Sequence, residues 1–139
     1  SIIINKANDV LKDACLVAKT FIAENPSTDL DWSWGEGVAL WGLAALTKEV
    51  DHKEGYESCY QLTSEYLLNY HKHWNNSRRK PKINYPDRVP PSISAVLELQ
   101  RTGNRDFLPS ILLAYDFLKN TPRMKNGAIN HLGTHFFSH

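Results

Sequence analysis

Two blocks of this sequence match each other when one is shifted by 51 positions, and this repeat restricts the fold more than any other feature. Val38 falls on Val89, Ala44 on Ala95, Leu46 on Leu97, Tyr56 on Phe107, Tyr60 on Ile111, Leu62 on Leu113, Tyr66 on Phe117 and Leu67 on Leu118. Apolar residues in each block recur at spacings of three and four, the period of a helix face. A short polar turn divides each block, Asp51-His52-Lys53 in the first and Thr102-Gly103-Asn104 in the second. Helical hairpins repeating near every fifty residues bury their apolar faces only against neighbouring units. The pattern therefore predicts an all-α chain of stacked hairpins.

The remaining sequence agrees. Residues 5–23 carry Val10, Leu11, Ala14, Cys15, Val17, Ala18, Phe21 and Ile22 as one broad apolar stripe, which Asn25-Pro26-Ser27 stops. Further helices are expected over residues 35–49, 54–71, 91–101 and 106–120. Pro91 and Pro109 suit first turns, and Gly103-Asn104 suits a helix end. Residues 72–90 lose the period, contain Pro81, Pro86 and Pro90, and form an irregular connection of a length that is usually functional or mobile. The run Arg78-Arg79-Lys80 within it reads as a solvated face.

A chain of 139 residues fits one domain, residues 1–139. Sixteen Lys and Arg against fifteen Asp and Glu give no electrostatic reason to expect nucleic acid. No apolar run approaches the roughly 20 residues that span a bilayer, so no membrane partner is expected. Cys15 and Cys59 form no CxxC pair and read as small buried hydrophobes, in keeping with a reducing, cytoplasmic location and no visible signal peptide. No phosphate loop, nucleophile elbow or cofactor motif is present.

Three stretches could carry chemistry. Asp31-Trp32-Ser33-Trp34-Gly35-Glu36-Gly37 stands at a helix entry. Its tryptophans are either core staples, with Ser33 or Asp31 as cap, or flat platforms for the C–H faces of a sugar. Asp87, within Asn84-Tyr85-Pro86-Asp87-Arg88-Val89-Pro90-Pro91, reads as a helix N-cap or as a cleft carboxylate able to move a proton. Arg123 and His131 frame Pro122-Arg123-Met124-Lys125-Asn126-Gly127-Ala128-Ile129-Asn130-His131 and could hold an anion. His131, His135 and His139 lack an acidic companion and a helical stripe, so no metal site is expected.

In order and spacing these stretches resemble the N-terminal part of unsaturated glucuronyl and rhamnogalacturonyl hydrolases, glycoside hydrolase families 88 and 105. The W-x-W/Y-x-x-G element of that family stands here as Trp32-Ser33-Trp34-Gly35-Glu36-Gly37. Its acidic helix entry and the turn that follows stand as Asp87-Arg88-Val89-Pro90-Pro91 and Thr102-Gly103-Asn104-Arg105-Asp106-Phe107. Its P-R-x-x-x-G-x-x-x-H stands as Pro122 to His131. The resemblance implies a partial (α/α)6 toroid of six-hairpin glycosidase type, acting without cofactor or metal on oligosaccharides that carry an unsaturated uronic acid. It implies hydration of the C4=C5 bond, with Asp87 as the catalytic carboxylate that positions water. Trp34, Trp32, His131 and Arg123 would contact substrate.

Two departures qualify that match. Leu132 stands where rhamnogalacturonyl-specific members often carry a basic residue, and no Q-x-W-x-D element, which holds the general acid, follows His131. The chain is thus expected to be a portion of a longer hydrolase or a shortened, inactive relative, a helical-hairpin module for binding carbohydrate or protein. Its open inner faces are expected to drive self-association or docking with the remaining half of the toroid.

Overall fold

The computed structural model describes residues 1–78 and 80–129. It is all-helical: α1 (Ile2–Glu24), α2 (Trp34–Val50), α3 (Glu57–Asn76), α4 (Pro91–Thr102) and α5 (Leu108–Asn120), with 3-10 turns at Pro86–Arg88 and Arg105–Phe107. Among the described residues the only strand-like pairing is an isolated bridge between Arg123 and Ile129. Arg79 and residues 130–139, including His131, Leu132, His135 and His139, lie outside the described residues.

α2 is the centre of the molecule. It packs on α3 along one side and α4 along another, while α4 packs on α5 and α1 lies against α3. Leu40, Leu43, Ala44, Leu46 and Val50 of α2 meet Tyr66, Leu67 and Tyr70 of α3 in the core, with Trp32 and Ala18 joining them. Deep in the α2–α3 seam the Thr47 and Thr63 hydroxyls meet at 2.8 Å. Repeat-related positions share environments in part: Ala44 and Ala95 are both buried, as are Tyr66 and Phe117, but Leu67 is buried where Leu118 is exposed.

Gly37 explains how closely α2 and α4 approach. A Cβ there would stand 2.5 Å from the Pro90 Cβ and 2.6 Å from the Pro91 nitrogen, so only glycine fits. Gly37→Ala should therefore push the two helix entries apart and cost about 1–3 kcal/mol, read as a lower denaturation midpoint. An unchanged midpoint would mean that the contact yields freely.

α3 runs five residues further than its apolar pattern suggested, to Asn76, and the extension has a purpose. Tyr66, Tyr70 and Trp74 stand four apart on one face and donate to the carbonyls of Asn25 (2.6 Å), Asp31 (2.8 Å) and Leu30 (3.1 Å). Three aromatic tips thus fasten the α1–α2 connection. Burial pushes the Tyr66 hydroxyl up to about 12 and the Tyr70 hydroxyl higher still, so both remain donors throughout the neutral range.

The expectation that Cys15 and Cys59 are separate hydrophobes is corrected. They form a disulfide between α1 and α3 with Cα atoms 5.9 Å apart. The helical pattern assigned both to apolar faces without showing that those faces meet. α1 needs the link, since Ala18 is its only fully buried residue while Ile2, Ile3, Ile4, Val10, Leu16 and Val17 are exposed. Closing a 44-residue separation contributes up to about 4 kcal/mol in the chain-entropy view. Reduction should lower the thermal midpoint and release α1 amides to hydrogen exchange first; uniform loss of protection would contradict the assignment of the weak link to α1.

Candidate functional site

The residues singled out in Trp32–Trp34 and at Asp87 converge where α2 and α4 begin. The Trp32 indole N–H donates to the Arg88 carbonyl at 2.9 Å, and Arg88 Nε donates to the Trp32 carbonyl at 3.2 Å. This reciprocal pair clamps the α2 entry to the 3-10 turn Pro86–Arg88 that leads into α4. Gly37 against Pro90 and Pro91 repeats the contact one turn on. The two helices begin side by side.

Within this clamp the two tryptophans have opposite fates. Trp32 is fully buried, stacked on Tyr70 at 5.8 Å and 11°, with the edges of His71 and Trp74 against it. Its face is covered and its N–H is used, so the expectation that Trp32 contacts substrate is corrected: it builds the core beneath the site. Trp34, the first residue of α2, is 60% exposed. Positions two apart at a helix entry point to opposite sides, so one of the pair must turn outward.

Asp87, in the 3-10 turn, is half-buried and engaged with a partner. It does not cap α4, whose cap position is Pro90 with no side-chain bond. Ser33 occupies the α2 cap position, also without a side-chain cap bond. Arg123, three residues past the end of α5, turns back on that helix and donates to the Leu118 carbonyl at 2.6 Å. A tight turn with Gly127 at φ 84° follows, where Ala128 N–H meets Asn126 Oδ1 at 3.0 Å. His131 lies outside the described residues.

A groove of about 830 Å³ runs elsewhere, between α1 and α3 beside the Cys15–Cys59 bond, with Lys12, Lys19 and Glu65 along it. Among the described residues no three His, Cys, Asp or Glu side chains gather as metal ligands. No helix among them is long and apolar enough to cross a membrane.

Two polar clusters escaped the reading of the sequence. His71, fully buried, meets Ser110 Oγ and Ser94 Oγ at 2.8 Å through its two ring nitrogens. Glu98, also buried, is gripped by Arg101, which reaches Asp51 and Tyr60. The Glu98-x-x-Arg101 spacing is a visible signal for the second, since side chains three apart share a helix face. His71 carried none, because its serine partners lie 23 and 39 residues away.

Comparison with protein-family models, with curated proteins and with solved structures finds no match.

Proposed function

We propose that this chain is the saccharide-binding N-terminal portion of an (α/α)6 toroid of the unsaturated-uronyl hydrolase type, with Trp34 and Asp87 at its entrance. The reciprocal Trp32–Arg88 bonding carries this reading, because it holds the exposed Trp34 and the carboxylate-bearing turn at one end of two adjacent helices. An exposed indole offers a flat apolar face to the C–H face of a sugar ring. A half-buried carboxylate on a turn braced by Arg88 can orient water or a hydroxyl beside it.

In the chemistry proposed, a proton adds to C4 of the unsaturated uronate, water adds to C5, and the resulting hemiketal collapses to release the next sugar. Asp87 takes the water-positioning role. The proton would come from a general acid of the Q-x-W-x-D kind, a role we assign to no residue of this sequence. A Cys15–Cys59 cross-link persists in an oxidising compartment, which we favour over the cytoplasmic location expected from the sequence. The outward face of α2, with Trp34, Val38 and Trp41 exposed, supports a second reading of the chain as an interaction module.

Calorimetric titration with an oligosaccharide ending in an unsaturated uronate tests the first reading. Trp34→Ala should weaken binding about tenfold or more with helical content unchanged, the loss expected for one stacking partner. Equal affinity in wild type and variant, or no affinity at all, removes it.

A further inference from the structure

Six exposed residues of α2 (Trp34, Gly35, Val38, Trp41, Gly42 and Ala45) fall within about one third of the helix circumference at 3.6 residues per turn. Trp34 is 60% exposed, Trp41 50% and Val38 46%. None of the six is charged; exposed Glu49 lies on the same face one turn beyond Ala45, outside the stretch from Trp34 to Gly42. They form three pairs seven apart, Trp34 and Trp41, Gly35 and Gly42, Val38 and Ala45, the repeat that keeps one seam facing a partner helix.

The two glycines need an explanation that Gly37 does not. Gly37 is required by Pro90, whereas a Cβ on Gly35 or Gly42 would meet nothing within 4 Å. Each costs about 1 kcal/mol against alanine in a helix, with no return inside this chain. Exposed glycines on an apolar helix face are holes for another molecule's side chains.

The pattern also names that molecule. When α2 is laid antiparallel on its own copy with Val38 facing Val38, Trp34 falls opposite Gly42 and Gly35 opposite Trp41. Each bulky indole meets a glycine, twice, by symmetry. A two-fold interface requires this reciprocity, residue i meeting j while j meets i. Antiparallel pairing also sets each helix's positive end against its partner's negative end.

We infer that α2 is a self-association seam through which two copies of this chain pair antiparallel about Val38, Trp34 of each seated on Gly42 of the other. The inference rests on the interaction reading of the chain rather than on the saccharide reading. The two occupants exclude each other at Trp34, so a stacked oligosaccharide displaces the second copy. Three large side chains make a small interface by the standard of stable complexes, so the pairing is weak and concentration-dependent.

Sedimentation from about 1 to 500 μM should show a monomer–dimer equilibrium. Gly42→Leu, which fills the hole, should weaken it at least about tenfold while the melting midpoint stays level or rises, because the position is open in the monomer. Val38→Cys should form an intermolecular disulfide at least roughly tenfold faster than Asp116→Cys, an exposed control on α5. A monomer throughout, a dimer indifferent to Gly42→Leu, or equal cross-linking at both cysteines overturns the inference. A monomeric chain that binds oligosaccharide through Trp34 overturns it while sparing the saccharide reading. A dimer with no saccharide affinity supports it and removes that reading instead.

Discussion

Arg101→Ala is expected to destabilise the chain by about 3–5 kcal/mol, the cost of leaving a buried charge without its partner. The charge left behind is Glu98, whose side chain is 2% exposed. Arg101 holds it with two bonds, Nη2 to Oε2 at 2.6 Å and Nε to Oε1 at 3.3 Å. Its remaining donor, Nη1, reaches Asp51 at 3.1 Å and the Tyr60 hydroxyl at 2.9 Å, and the guanidinium lies 5.1 Å from the Tyr60 ring centre. One side chain thereby joins the end of α4 to the α2–α3 turn. Burial opposes its charge, but hydrogen bonds to Glu98 and Tyr60, the Glu98 charge and the bond to Asp51 outweigh that and hold Arg101 above its ordinary value. The denaturant midpoint should fall sharply in Arg101→Ala and recover in large part in Glu98→Met/Arg101→Met, which removes both charges and keeps the volume. A loss below about 1 kcal/mol in the single variant would mean that water reaches Glu98 and takes over its solvation.

His71→Ala should cost a similar amount, about 3–5 kcal/mol, from the cavity and from the two serine hydroxyls that lose their partner together. The proton bookkeeping there closes on one tautomer. Ser94 spends its hydroxyl proton on the Pro91 carbonyl at 2.9 Å, so it accepts from His71 Nε2–H. Asn75 donates to Ser110 Oγ at 3.0 Å, and Ser110 gives its proton to His71 Nδ1. The rings of Trp32, Tyr70 and Phe107 enclose the imidazole. A second proton on the ring has no acceptor, and burial lowers the His71 pKa from 6.5 to about 3. Because the folded value lies below the unfolded one, this stabilisation is complete above about pH 6.5. It declines by about 1.4 kcal/mol for each pH unit below that, until the folded pKa is passed. Denaturation at several pH values should therefore show a slope between pH 6.5 and 4 that is steeper in wild type than in His71→Phe. Parallel profiles would mean that His71 accepts its proton without penalty.

The helices were readable because their signals are local. The apolar spacing in residues 35–49, the prolines at 91 and 109, and Gly103, which adopts φ 70° at the end of α4, each act within a turn or two. What escaped depends on which face meets which. Cys15 and Cys59 look alike as helix residues and become a cross-link only once α1 lies on α3. Trp32 and Trp34 are the same residue type two positions apart. Only the Arg88 carbonyl, 56 residues away, decides which turns inward. The end of α3 was missed because Trp74 and Asn75 look like loop residues until the Leu30 carbonyl and the Ser110 hydroxyl are brought to them. α2 and α4, which lie in the two matching blocks, pack on each other.

An NMR titration of the chain with an unsaturated uronyl disaccharide tests the location of the proposed site directly. The account predicts that the Trp34 indole N–H and the amides of Asp87 and Arg88 shift together and saturably, while the sealed Trp32 indole and the α1–α3 groove stay nearly unmoved. Shifts confined to the groove beside Cys15–Cys59, or Trp34 responding without Asp87, would contradict it.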